Sequence, residues 1–229
     1  MSGKDRFLLA EHPHYLMRQS VEDQPVFIDE SDYTHCRRDL RELSEEHGLA
    51  IHAYCLLPQA VHVLASVGED PSALSRFMKS LSCRASLRRK KVHKCDSAWE
   101  TRYRSCVVEP RQPLLTTMCY IERLPIAHGL SSSAYHYRYS SYRMRMGKTE
   151  SYTLGDPEIY ERLGHTLEER AEAYRTYVSN GLSSEEERDI AHAMKRGNII
   201  GSAHFIKEVY HEYGLPGVEK ELAREPEGA

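Results

Sequence analysis

Residues 56–66, LLPQAVHVLAS, run through a short turn into a strand-like stretch that carries one histidine, His62. A strand bearing His-x-His can hold a divalent cation over a scissile phosphate, because alternate residues point to one face. Here the position two before His62 is Ala60, which has no donor atom. The stretch has the outline of a metal site with one imidazole absent. A second His-x-His, His12 and His14 in EHPHY, has Pro13 between its histidines and reads as a loop before the first strand. His52, in IHAY, reads as structural. The chain has no Walker loop, GxSxG elbow or HExxH helix.

Charge is the second chemical feature. The net charge is only −3, yet residues 76–148 hold 16 Lys and Arg against 4 Asp and Glu. Residues 1–75 hold 6 against 13, and residues 149–229 hold 9 against 17. A basic middle third points to a polyanion partner. Arg84, Arg88, Arg89, Lys90, Lys91 and Lys94 gather at the end of one helix. Arg102, Tyr103 and Arg104 lie on the strand after it, and Tyr142, Arg143 and Arg145 in an aromatic patch. Cations suit phosphates and tyrosine rings stack on unpaired bases, so these residues are the expected nucleic-acid contacts.

The elements that must position these groups follow from periodicity. DESDYTHCRRDLRELSEEHG (29–48) reads as a helix capped by Ser31 or Asp32 and ended by Gly48. LAIHAYCLL (49–57) and VHVLASV (61–67), joined by PQA, form an antiparallel hairpin. An amphipathic helix over 70–91 ends in a basic tip, and a strand follows over 102–109. The helix 112–125 is expected to stop near Pro125, and 135–148 to be irregular. HYLMRQ (14–19) is the candidate first strand. The tail has helical patches over 167–179 and 183–214. The second, broken around Gly197–Gly201, either packs on the core or forms a helix–turn–helix.

This order predicts an α+β fold, with an antiparallel sheet, helices on one face and a C-terminal helical extension. The division expected is 1–148 for the domain that carries the sheet and the candidate site, and 149–229 for the extension. Six scattered cysteines without a C-x-x-C pair suit a reducing cytoplasm. No apolar run is long enough to span a membrane, and the N-terminus is not a signal peptide.

Several blocks in register resemble one family. IHAYCLLPQAVHVLAS, WETRYRSCVV, CYIERLPIAHGL and YRYSSYR occur in the order found in REP-associated tyrosine transposases, a branch of the single-tyrosine HUH transposases. DQPVFIDESDY and LGHTLEERAEAYR are also similar to that family, so the resemblance covers about residues 14–212. It implies a ferredoxin-like fold acting in DNA transposition on single-stranded hairpin DNA of the REP type. In the implied reaction a tyrosine cleaves and joins strands through a 5′-phosphotyrosine. A metal held by a His-hydrophobic-His pair and one polar side chain polarises the phosphate.

Carried over by position, Tyr120 in CYIERLP falls on the nucleophile and His62 on the second histidine. Two departures follow. Ala60 stands where the family has the first histidine, and Leu124 where it has a polar ligand one turn past the tyrosine. Gln59, Cys55 or Glu122 could replace one ligand, but hard cations need several. The expectation is a hairpin-DNA-binding protein of the transposase family with impaired chemistry, using Mg²⁺ or Mn²⁺ if active. The alternatives are a catalytically inactive hairpin binder with no ion and an unrelated RNA-binding protein in which Tyr120 is core.

Overall fold

The computed structural model describes residues 7–147 and 154–215. Strand β1 (Pro13–Gln19) leads through an irregular segment to helix α1 (Glu30–His47). Asp29 caps α1 in place of Ser31 or Asp32, and the Asp32 carboxylate returns to the Asp29 backbone N–H. Gly48, at φ 65°, ends the helix in the left-handed conformation that only glycine adopts freely. Strands β2 (Leu49–Leu57) and β3 (Ala60–Val67) then form the expected hairpin. Helix α2 (Ser72–Arg88) runs into a π-helical turn at Arg89–His93, and β4 (Arg104–Val107) follows.

The sheet is antiparallel throughout with the order β2-β3-β1-β4, the ferredoxin-like arrangement. One side of it packs on α1 and α2 through Leu16, Leu56, Val61 and Val63 against Leu40, Leu43, Phe77 and Met78. These are the helices of the βαββαβ unit, and they share one face as expected.

The other face is covered as well, by helix α3 (Gln112–Ala127) and the tail. The sequence holds the reason. The run AYCLL (53–57), which has no polar alternation, buries residues on both sides of β2, and a bulge between Ile51 and Ala53 resets which side each faces. Ala53, Cys55 and Leu57 meet Leu115, Met118 and Cys119 of α3 in this second core.

Helix α3 ends near Pro125, as expected. The proline sits in the last turn, and the helix continues to Ala127 with His128 as its cap. The aromatic patch contains a short helix, α4 (Tyr142–Arg145). Its last residue, Lys148, and the domain boundary expected there lie outside the described residues. Helices α5 (Glu158–Glu161), α6 (Leu167–Asn180) and α7 (Ser184–Arg196) complete the second core through Tyr160, Tyr174, Val178, Ile190 and Met194. Helix α8 (Ala203–Glu212) packs separately, its Val209 joining Leu9 and Val107. No helix among the described residues is long and apolar enough to cross a membrane.

Candidate functional site

Sheet register brings the chemical residues together. Met17 of β1 pairs with His62 of β3 on one side and Arg104 of β4 on the other, and His62 pairs with Cys55 of β2. Directly opposed residues share a face, so Arg104, Met17, His62 and Cys55 form one row beneath α3. The neighbouring row holds Gln19, Ala60 and Leu57. Tyr120 projects from α3 over this face, its ring 6.3 Å from that of Tyr15.

A cleft of about 460 Å³ opens here, lined by Gln59, Ala60, His62, Arg104, Tyr120 and Leu124, with His128 and Lys195 at its edge. A second hollow of about 520 Å³ shares Tyr120, Leu124 and His128 and continues along α3 and α7 past Arg123 and Arg188. The two make one groove, with the half-buried Tyr120 in both walls.

His62 is buried, and its Nδ1 lies 2.7 Å from the Tyr15 hydroxyl. Burial, then the nearby His128, lowers its pKa to about 3, so the ring is neutral at pH 7. Burial first, then Glu187, raises the pKa of Tyr120, which is a phenol and not a phenolate.

The site does not supply a set of metal ligands. Ala60 and Leu124 carry no donor atoms and both are buried among apolar neighbours. Cys55 is fully buried and its thiol is pushed far above its usual range, so it offers no thiolate. Glu122 points into a separate network with Ser141, Tyr174 and Arg145. Among the described residues, the one group of three clustered donors is Asp29, Asp32 and His93, at the capped end of α1 and outside the cleft. There Asp32 already accepts from the Ile28 and Asp29 backbone N–H groups, from Arg88 at 2.7 Å and from His93 at 2.8 Å.

The expected DNA contacts separate into two groups. Lys90, Lys91, Lys94 and Arg102 are exposed, Arg104 lines the cleft, and the guanidinium of Arg143 lies 5.7 Å from the exposed Tyr135 ring. The others are occupied inside the fold. Arg84 pairs with Asp39 at 3.0 Å and Glu42 at 2.7 Å, and Arg88 with Asp32. Arg89 is buried and donates to the Pro25 and Asp96 carbonyls. Tyr103 is buried against Ser75, and Tyr142 and Arg145 are also buried. Arg89, Tyr103, Tyr142 and Arg145 are thus held within the fold, whereas Arg84 and Arg88 are partly exposed and paired with carboxylates of α1.

His14 opens the segment 14–19 read as the candidate first strand. It lies within β1, where Nδ1 meets the His12 carbonyl and Nε2 accepts from Leu9 N–H. His52 bridges the Gly155 carbonyl and Ser66. Sequence reasoning missed His128 and Lys195. His128 stands four residues past Leu124 and eight past Tyr120, a helical spacing that was there to be read. Lys195 is 75 positions from Tyr120, and only tertiary packing brings it in.

The family model for IS200-like transposases matches residues 12–124, from the start of the sheet to the helix that carries Tyr120. The chain belongs to this family. A solved structure of a REP-associated tyrosine transposase bound to a REP hairpin superposes with a TM-score of 0.53 at 14% identity. It covers 65% of this chain and 87% of that one, and the likeness is one of fold. A candidate transposase of Deinococcus radiodurans R1 gives a TM-score of 0.36 at 22% identity, over 46% of this chain and 85% of that one. No curated protein matches the chain. In this IS200-like transposase the α+β fold and four-stranded antiparallel sheet are those that the sequence implied.

Proposed function

We propose that the protein binds single-stranded hairpin DNA, of the kind its family acts on, and that metal-dependent strand cleavage is impaired. The observation that carries this reading is the composition of the row beneath Tyr120. Tyr120 and His62 share a cleft with Arg104, whereas Ala60 and Leu124 occupy the expected ligand positions without a donor atom. The likeness of fold to a transposase bound to a REP hairpin supports the choice of DNA. Lys90, Lys91, Lys94 and Arg102 remain exposed for phosphates.

Chemistry needs more than a tyrosine near a phosphate. A metal, when bound in this family, polarises the phosphate and screens its charge. In this chain Tyr120 is held as a phenol, and the buried, neutral His62 has too low a pKa to be an effective base at pH 7. The tail contributes to the same cleft through α7, so 149–229 is an extension that completes the site of 1–148.

The test is a gel assay with labelled single-stranded hairpin oligonucleotides, with and without Mn²⁺. A shifted complex on a native gel is expected, weakening steeply with salt, and no covalent band on a denaturing gel. A Mn²⁺-dependent covalent band in the parent protein, lost in Tyr120→Phe, would overturn the reading of impaired chemistry. Ala60→His combined with Leu124→Asn is expected to introduce such a band. If that double variant gives no gain, the two missing ligands do not account for the impairment.

A further inference from the structure

The groups left in the cleft suit an anion better than a cation. Tyr15 is 1% exposed, and the acceptor its hydroxyl meets is Nδ1 of His62 at 2.7 Å. A buried hydroxyl proton needs an acceptor, so the phenol donates and Nδ1 accepts. A neutral imidazole carries one proton, and this arrangement assigns it to Nε2. The ring nitrogen remaining to His62 is therefore an N–H donor. A metal-ligating histidine has the opposite arrangement, with a lone pair toward the ion and its other N–H held by an acceptor.

The surrounding side chains have the same polarity. Arg104 enters the cleft from β4, and its one carboxylate partner is Glu100 at 3.6 Å, a partly exposed and weak pair. Lys195, exposed in the last turn of α7, makes no ion pair among the described residues. His128 adds an exposed imidazole at the end of α3. None of the residues lining this half of the groove is an Asp or Glu, and the one carboxylate lining the other half, Glu187, is accompanied there by Arg123 and Arg188.

We propose that the cleft beside Tyr120 is a phosphodiester-binding site that works without a divalent metal, with Arg104 and Lys195 as cations and His62 and His128 as hydrogen-bond donors. This rests on the DNA-binding reading for the identity of the phosphate but not for the anion site itself. Arg104 and Lys195 supply the charge that a metal would otherwise bring to the phosphate. The apolar Ala60 and Leu124 add no donor for a cation to the same cleft.

Two probes keep the anion site separate from the DNA reading. Inorganic phosphate is titrated into the full chain in EDTA and followed by ³¹P NMR, with Arg104→Gln/Lys195→Gln as the variant. Saturable binding is expected in the parent and a loss of about tenfold in the double variant. Circular dichroism checks that the variant is folded, and Lys195→Gln alone, at an exposed position, gives a second reading if it is not. The same proteins are then titrated with the single-stranded hairpin oligonucleotide, in EDTA and in Mn²⁺. Equal affinity in the two conditions and a salt slope lower by about one for each cation removed are expected.

No saturable phosphate binding, or equal binding by parent and variants, would overturn the anion site whatever the DNA result. Oligonucleotide binding that requires Mn²⁺ would overturn its independence of metal. Phosphate binding without any hairpin binding would uphold the anion site and reject the DNA reading.

Discussion

Lowering the pH from 7 to 5 is expected to cost this protein about 5 kcal/mol of stability. His14 and His52 are buried, and burial lowers the pKa of each to about 4. Each also uses one ring nitrogen as an acceptor, from Leu9 N–H in one case and the Ser66 hydroxyl in the other. Protonation would put a charge in the core and destroy that hydrogen bond. The unfolded chain takes up these protons near the ordinary histidine value of about 6.5, and the native state not until about 4. Between those limits the unfolded state binds more protons, so stability falls as pH falls.

Each such group contributes a slope of about 1.4 kcal/mol per pH unit, and the two together about 3. His62 adds in the same sense, with its pKa lowered to about 3. Glu122 acts in the opposite sense, because burial raises its pKa and the native state protonates first. It is a single group and does not cancel the histidines. Between pH 7 and 5 the three histidines together remove about 5 kcal/mol, against about 5–15 kcal/mol for a domain in all, so the protein is much weakened at pH 5. Urea melts at pH 7, 6 and 5 read the slope. His52→Gln should lower it by about 1.4 kcal/mol per pH unit. A flat stability between pH 7 and 5 would sink the account of neutral buried histidines.

The hairpin, α1 and α2 were legible because their apolar residues recur at periods of two and of three to four. His62, Ala60 and Leu124 were legible because they sit at fixed offsets within single elements. Charge was harder to read. The acidic first third and basic middle third suggested an external polyanion, yet much of that charge is paired internally. Helix α1 packs beside α2, so Asp32, Asp39 and Glu42 meet Arg88 and Arg84. Arg138 likewise meets Glu30 at 2.9 Å. Segregation along the chain is what two oppositely charged, adjacent helices look like before they are folded together. The second covered face of the sheet was hidden because α3 and the tail give no sign in sequence of which surface they will bury.

Arg145→Met is expected to destabilise the protein by about 3–5 kcal/mol, the cost of stranding a buried charge. The side chains of Arg145 and Glu122 are 1% and 0% exposed, with Nε of the arginine 3.9 Å from the carboxylate. Both carboxylate oxygens also accept hydroxyl protons, one from Ser141 and one from Tyr174 at 2.8 Å, the pattern of an ionised group. Arg145 also donates to the His52 carbonyl and to Asp156 at 2.8 Å, and it lies over the Tyr160 ring at 4.3 Å. The network joins four helices, α3 through Glu122, α4 through Arg145, α5 through Tyr160 and α6 through Tyr174, and ties them to β2 through the His52 carbonyl.

Glu122 lies two residues past Tyr120, so the same network fixes the helix that carries the tyrosine. Removing Arg145 leaves Glu122 without its cation. Removing both charges, as in Arg145→Met/Glu122→Gln, leaves no stranded ion and is expected to recover part of the loss. The two changes are therefore non-additive, with a coupling of about 1–3 kcal/mol in urea melts at pH 7. Additive losses would mean that the pair is not coupled. An Arg145→Met protein of unchanged stability but weakened hairpin binding would mean that Arg145 faces DNA after all.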